Sequence, residues 1–328
     1  LTRDLEWGIE VPKEGYENKT IYIWAENVLG YLSASKTAAE ARGDDFYSLW
    51  GEDAGHYYVH GKDNIPFHTI ILPSLLLAGG ENWHPPDRIV SSEYVTLEGR
   101  KISTSRNYAV WVKDLLENYE ADSIRYFFLT NGPEKKDADF SWREYVNSHN
   151  GELLGAYGNF VNRCLAFIGK YFDGCVPEGR ENEERNGRIE SLFVSVGKQI
   201  ENGAFKDAID EIFEFVRSAN KFFDAEKPWV TGNTDIAACK NTLYQCVQII
   251  ANLAVLLSPF LPFSSEKVCK WLGIPLPQIW KKQSVPVGLR IPEAEILFRR
   301  IDKKVIETET EKLNKLLIGI SSPHGVRY

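Results

Sequence analysis

The run Tyr57-Tyr58-Val59-His60 ends in Gly61-Lys62-Asp63, and a helical stretch with Ile70, Ile71, Leu75, Leu76 and Leu77 follows at once. This strand–turn–helix order constrains the fold more than any other feature, because strands alternating with helices build a mostly parallel sheet. Tyr57–His60 reads as a short buried strand. Arg88-Ile89-Val90 reads as a second strand, and a turn at Glu98-Gly99-Arg100 leads into Lys101-Ile102-Ser103-Thr104-Ser105. In open α/β sheets, ligands sit at the carboxyl ends of strands. Both polar clusters fall at such ends.

These residues suit nucleotide handling. A carboxylate such as Asp63 accepts a ribose hydroxyl, and the missing side chain of Gly61 lets the backbone approach a ligand. Lys62 and Lys101 are flexible point charges for phosphates, and Ser103, Thr104 and Ser105 add hydroxyls. Taken singly, the same residues fit plainer roles. Asp63 can cap the following helix, Lys62 can be solvated, and the Ser/Thr stretch can be a surface loop.

Together the clusters carry a resemblance. Gly61 to His68 is similar to the Gly-x-Asp-x-x-x-x-His tract of class I aminoacyl-tRNA synthetases, and Lys101–Ser105 to their Lys-Met-Ser-Lys-Ser loop. Leu1–Gly8, the stretch Tyr22-Ile23-Trp24-Ala25-Glu26-Asn27-Val28-Leu29-Gly30-Tyr31, Phe140–Glu144 and Leu257–Pro262 narrow the likeness to methionyl-tRNA synthetases. It covers almost the whole chain and fades near the C-terminus.

The resemblance implies α/β followed by all-α: the second half of a Rossmann-like class I catalytic domain plus a helical-bundle anticodon-binding domain. It implies ATP-dependent activation of methionine, with Mg2+, and charging of tRNA(Met). Gly61, Lys62, Asp63 and Lys101 would hold ATP. Lys101, Ser103, Thr104 and Ser105 would form the catalytic loop, Thr104 standing where many members carry a second Lys. Trp24, Tyr31 and His68 would line the methionine pocket, where sulfur–ring contacts favour a thioether; otherwise Trp24 and Tyr31 are strand-end core aromatics. Asn159 and Arg163, one helical turn apart, with Trp229 would read the anticodon by hydrogen bonding and stacking. Otherwise Trp229 is partly buried core and Arg163 an ion-pair partner.

No His-x-Gly-His occurs in the 328 residues, and the Cys-rich metal-binding insertion of the family is absent. The expectation is therefore a C-terminal portion, with the N-terminal part of the same polypeptide as its partner, no protein-bound zinc, and no adenylate formation by the chain alone. Two rivals are a stand-alone tRNA-binding module without catalysis and a class I synthetase of other specificity. Against the latter stand the Trp24–Tyr31 stretch and the Asn159, Arg163 and Trp229 trio.

Composition is compatible with this. With 43% hydrophobic and 26% charged residues the chain reads as globular, and 328 residues suggest two domains. The apolar run Ile249–Leu257 is too short to span a membrane and is broken by Asn252. Cys164, Cys175, Cys239, Cys246 and Cys269 form no Cys-x-x-Cys pair, which argues against a zinc site and fits a reducing cytoplasm. The net charge of -8 leaves RNA binding to local basic patches.

Three segments follow: 1–142 as the catalytic half with its signature loop and connector, 143–283 as the helical anticodon-binding domain, and 284–328 as a C-terminal tail. The stripes Ile189/Leu192/Phe193/Val196/Ile200, Ile209/Ile212/Phe213/Val216/Phe223 and Leu243–Leu257 keep helical spacing and read as core. Glu178–Asn186 reads as a charged loop, and Asp302–Lys315 as a helix in the tail.

Overall fold

The computed structural model describes residues 2–80, 83–276, 279–293 and 295–320; the terminal stretch 321–328 lies outside the described residues. The chain divides into two compact units, Leu1–Tyr94 with Glu134–Lys136, and Val95–Pro133 with the chain from Asp137 onward.

In the first unit β1 (Thr2–Arg3) pairs antiparallel with β2 (Thr20–Ile21), followed by α1 (Ile23–Asn27) and α2 (Gly30–Arg42). Then come β3 (Tyr57–Gly61), a 3-10 turn (Lys62–Asn64), a π-helical turn (Phe67–Ile71) leading into α3 (Leu72–Ala78), and β4 (Arg88–Ser92). β3 and β4 are parallel, with Tyr57 opposite Arg88 and Gly61 opposite Ser92. Val28, Trp50, Leu72 and Leu76 form the core, with Leu32, Tyr58, Phe67 and Ile71 packed on it.

β3 is not the buried strand its composition suggests. Tyr57 is 52% and Val59 70% exposed, because α2 and α3 cover only the Tyr58 face of the ribbon. Ile70 and Leu77 are exposed as well, so the apolar surface of this unit is only partly used.

The second unit opens with β5 (Val95–Leu97) and β6 (Arg100–Lys101), an antiparallel hairpin, and β7 (Ala138–Phe140) lies parallel to β5 on its other edge. Between them run α4 (Val112–Asn118) and α5 (Ala121–Asn131). From Trp142 one long rod continues as α6 (Trp142–Ser148), a π-helical stretch (His149–Gly158) and α7 (Asn159–Phe172). The bundle adds α8 (Glu183–Glu201), α9 (Phe205–Glu226), α10 (Pro228–Thr234), α11 (Ile236–Leu257), α12 (Pro262–Trp271) and α13 (Lys304–Ile320). The stripes expected from spacing are buried, with Ile200 partly so at the end of its stripe. α11 is buried on all sides from Thr242 to Leu257, as the central helix of a bundle must be. The charged loop ends sooner than composition suggests, because Asn182 caps α8 by accepting from the Arg185 backbone N–H at 2.8 Å.

Residues 283–293 and 295–301 are strapped to the bundle. Three side-chain amides each bond both the N–H and the C=O of one backbone residue: Gln248 with Val285, Asn252 with Gln283, and Asn150 with Ile301. Val285, Ile291, Leu297 and Phe298 are buried in the same core.

One corner governs the packing of these helices. Asp122 on α5, 2% exposed, accepts from the backbone N–H groups of Phe263 and Ser264 at 3.4 and 2.6 Å, where α12 begins. One turn on, Arg125 donates to the carbonyls of Phe260 and Pro259 at 2.7 and 2.9 Å, just past the end of α11. Replacing Asp122 with Ala would strand buried donors, so the helical unit should lose about 2–4 kcal/mol. Chemical denaturation should show a lower midpoint, with Asp122→Asn falling between wild type and Ala; an unchanged midpoint would mean the corner is held by packing alone.

Candidate functional site

In the first unit, the parallel register places the residues after Gly61 beside those after Ser92. Gly61 is extended, and a Cβ built there meets nothing within 4 Å, so that face of the turn is open. The Asp63 carboxylate does not cap the helix that follows, which begins without a side-chain cap. Instead Tyr94 Oη donates to Asp63 Oδ1 at 2.6 Å. Lys62 Nζ pairs with Glu93 Oε2 and lies 4.1 Å from the centroid of the Tyr94 ring.

The same turn continues into an aromatic cluster. Trp24 and Tyr31 sit on α1 and α2 rather than at strand ends. Trp24 stacks on Phe67 with centroids 4.6 Å apart, and Tyr31 Oη meets His68 Nε2 at 2.9 Å. His68 Nδ1 lies 2.9 Å from the Asn64 carbonyl. That oxygen can only accept, so Nδ1 carries the proton and Nε2 accepts from Tyr31 in the neutral ring. His60 stacks on His68 at 4.4 Å. Burial holds the His68 imidazole below its usual range, the Asn64 carbonyl opposes the shift, and nearby His60 reinforces it. Burial, with Tyr31 nearby, pushes Tyr58 up to about 12. Trp24, Tyr31 and His68 are thus brought together through Phe67-His68.

In the second unit, Glu98 (φ 48) and Gly99 (φ 72) make the hairpin turn between β5 and β6. Two left-handed residues match the twist of the strands, and Glu98 tolerates the strain because its surroundings fix it. Its N–H donates to Phe140 O at 2.9 Å, and its carboxylate accepts from Trp142 N at 2.8 Å. Asp139 Oδ1 accepts from Thr96 Oγ1 at 2.6 Å and Gly99 N at 2.8 Å. Lys101 ends β6, and the loop beyond is closed by a two-way backbone bridge between Ser103 and Tyr108 at 2.9–3.0 Å. Ser103 Oγ contacts Ser105 Oγ at 3.2 Å and accepts from Arg106 N at 3.3 Å. Buried Tyr108 donates from Oη to Leu97 O at 2.9 Å, tying the loop's exit to its entry strand. Lys101, Thr104, Ser105 and Arg106 are exposed on this small hydrogen-bonded base.

The third cluster lies in the bundle. Asn159 and Arg163 are one turn apart on α7, Asn159 being its first residue after the π-helical stretch. Arg163 pairs with Asp224 at 2.7 Å, and its guanidinium lies 4.5 Å from the centroid of Phe223 and 5.7 Å from that of Trp229. Trp229 follows Pro228, the first residue of α10, and is 38% exposed. A Cβ at Gly232 would stand 2.4 Å from the Tyr171 ring, so only glycine lets α10 lie this close to α7. The exposed amide of Asn159, the guanidinium and a half-open indole can present donors beside a stacking surface.

Glu93 and Tyr94, Asp139, His60 and Asp224 escape motif reading. Glu93 and Tyr94 follow a hydrophobic-then-polar step at the end of β4, but only the strand register brings them to the Gly61–Asp63 turn; nothing local points to the others. Among the described residues, no group of three or more His, Cys, Asp or Glu is placed to hold a metal ion. No described helix is long and apolar enough to cross a membrane.

Comparisons with known proteins agree in direction. The family profile "tRNA synthetases class I (M)" matches residues 1–165, and "Anticodon-binding domain of tRNA ligase" matches residues 186–318. Methionine–tRNA ligase 1 of Alkaliphilus oremlandii is 53% identical over 315 residues, 96% of this chain and 58% of that protein. Methionine–tRNA ligase of Bacillus cereus is 54% identical over 313 residues, covering 95% and 57%. The chain therefore spans 57–58% of the length of these curated relatives. Mycobacterium tuberculosis methionyl-tRNA synthetase bound by methionyl-adenylate superposes with a TM-score of 0.77 at 25% identity, over 91% of this chain and 59% of that one. Its apo form gives 0.75 over 92% and 60%.

The His68 tautomer is open to direct test. In NMR titration His68 should protonate below the usual midpoint near 6.5. Tyr31→Phe removes the donor that stabilises neutral Nε2, so the midpoint should rise; no change would mean that Tyr31 does not donate to the ring.

Proposed function

The chain belongs to the class I methionyl-tRNA synthetase family, and we propose that the enzyme containing it activates methionine with ATP and charges tRNA(Met). The observation that carries this reading is the single turn Gly61–His68. At one end Asp63 and Lys62 are held by Tyr94 and Glu93; at the other His68 joins Tyr31 beside the Trp24–Phe67 stack. An amino-acid pocket contiguous with a nucleotide site is what adenylate formation requires. The solved relative bound by methionyl-adenylate supports the same pairing of ligands.

In this reading a methionine carboxylate oxygen attacks the α-phosphorus of ATP, supplied as its magnesium complex. The new P–O bond forms as the bond to pyrophosphate breaks. A hydroxyl of the terminal tRNA ribose then attacks the adenylate carbonyl and AMP leaves. No side-chain nucleophile is needed; catalysis is positioning plus stabilisation of charge as it builds. Gly61 admits the nucleotide, Asp63 holds the ribose, and Lys62 and Lys101 meet phosphates. Ser103 and Ser105 shape the loop, and with Thr104 uncharged, Arg100 and Arg106 are the nearest additional cations in sequence. Trp24, Tyr31 and His68 receive the thioether. Asn159 and Arg163 read anticodon bases while Trp229 supplies a stacking face.

The division by task is 1–142 for chemistry, 143–283 for the anticodon and 284–328 as a tail, though packing divides the chain elsewhere. The exposed Tyr57 and Val59 face of the β3–β4 ribbon is an apolar face without a covering layer among the described residues, which supports packing against a further part of the polypeptide. All five cysteines are free thiols, which supports a cytoplasmic setting.

In the full-length enzyme, Lys101→Ala should slow single-turnover adenylate formation by about 10²-fold or more, by analogy with other charge-stabilising donors. Methionine affinity should change far less. An unaltered rate would transfer the role to Arg100 or Arg106.

Trp229→Ala should weaken tRNA(Met) binding about tenfold or more, since base stacking is worth roughly 1–3 kcal/mol. A stem-loop with a scrambled anticodon should lose much less. Equal losses on both RNAs would make Trp229 structural and remove the anticodon assignment.

A further inference from the structure

Two adjacent residues outside the family motifs quoted above, Glu93 and Tyr94, hold both polar side chains of the Gly61–Asp63 turn. The meeting is dictated by register. Gly61 lies opposite Ser92 in the parallel pair, so the residues leaving β3 and β4 in the same direction fall side by side. Tyr94 is 49% exposed, so its position is poorly explained by burial of its ring. Its contacts there are polar: Oη donates to Asp63 Oδ1 at 2.6 Å, and its ring carries the Lys62 ammonium at 4.1 Å. The Lys62 and Glu93 side chains are only 30% and 33% exposed, which places their pairing in a less screened setting than an open surface.

We propose that Glu93 and Tyr94 are positioning residues for the nucleotide, an inference that rests on the ATP-dependent reading above. Tyr94 fixes the plane of the Asp63 carboxylate through Oδ1 and so presents Oδ2 to a ribose hydroxyl. Glu93 neutralises Lys62 until a triphosphate, carrying several negative charges, takes its place. Glu93 is thus a competitor that phosphate must displace, whereas Tyr94 is an aid to ribose binding. The two residues should affect ATP with opposite signs, which general damage to the turn would not do.

The test is methionine-dependent ATP–pyrophosphate exchange by the full-length enzyme, with 2′-deoxy-ATP and 3′-deoxy-ATP beside ATP. Tyr94→Phe should raise KM for ATP about five- to tenfold, the scale of a hydrogen bond to a charged group. KM should be unchanged for the deoxy analogue that lacks the hydroxyl Asp63 holds, and KM for methionine should stay as in wild type. Glu93→Gln should lower KM for ATP about two- to fivefold, by relieving competition for Lys62. On an Asp63→Asn background, Tyr94→Phe should add little, because its action runs through that carboxylate. An equal rise for ATP and both deoxy analogues would overturn the Tyr94 role, as would full additivity with Asp63→Asn. A higher KM in Glu93→Gln would overturn the Glu93 role. Lack of methionine-dependent exchange in the wild-type full-length protein would instead refute the functional reading itself.

Discussion

A helix that ends inside a protein leaves carbonyls without partners, and one that begins there leaves N–H groups without partners. The second unit meets both demands at one place. Leu257, Phe260 and Leu261 are buried where α11 stops and α12 starts, so water cannot satisfy the corner freely. α5 satisfies it from a single turn, with a carboxylate for the positive start of α12 and a guanidinium for the negative end of α11. The same helix gives Tyr126 to the bundle core, 4.7 Å from Phe213, and Phe127 to the smaller core under the β5–β6 hairpin. The hairpin that carries Lys101 and the helices that carry Arg163 therefore share one wall.

Each candidate site applies the same rule on a smaller scale: a candidate side chain is held by a group from another stretch of chain. Tyr94 holds Asp63, Asp139 braces the hairpin beneath Lys101, the Tyr31 hydroxyl meets His68, and Asp224 holds Arg163 against aromatic rings. Side chains held in this way lose less entropy when a ligand arrives, and a placement error of an ångström is costly for chemistry.

Local signals were sufficient for the strand–turn–helix at Tyr57–Leu77, the turn at Glu98-Gly99, the helical stripes and the one-turn spacing of Asn159 and Arg163. Each depends on residues near one another in sequence. What could not be read depends on register or on long-range pairing. Glu93 and Tyr94 matter because β3 and β4 are parallel and aligned at Gly61 and Ser92. Asp224 lies 61 residues from Arg163. The π-helical stretch His149–Gly158 has no spacing signature of its own, because its wider turns only shift the phase of an apolar stripe. Tyr57 and Val59 misled for a different reason: β-branched and aromatic residues signal a strand, but not how many of its faces are covered.

The side-chain amides of Gln248, Asn252 and Asn150 grip main-chain atoms of Val285, Gln283 and Ile301 and make no demand on those residues' own side chains. The side chains at 283, 285 and 301 are therefore free to vary wherever core contacts allow, while their main-chain positions stay put. The only residue type these grips exclude outright is proline at 283, 285 and 301, where an N–H must donate; Pro286 and Pro292 stand at neighbouring positions that carry no such duty. The positions of Gln283, Val285 and Ile301 are thus written partly in three side chains of other elements, and main-chain bonds from Gly174 and Val176 hold Gly288, Leu289 and Ile291 between them.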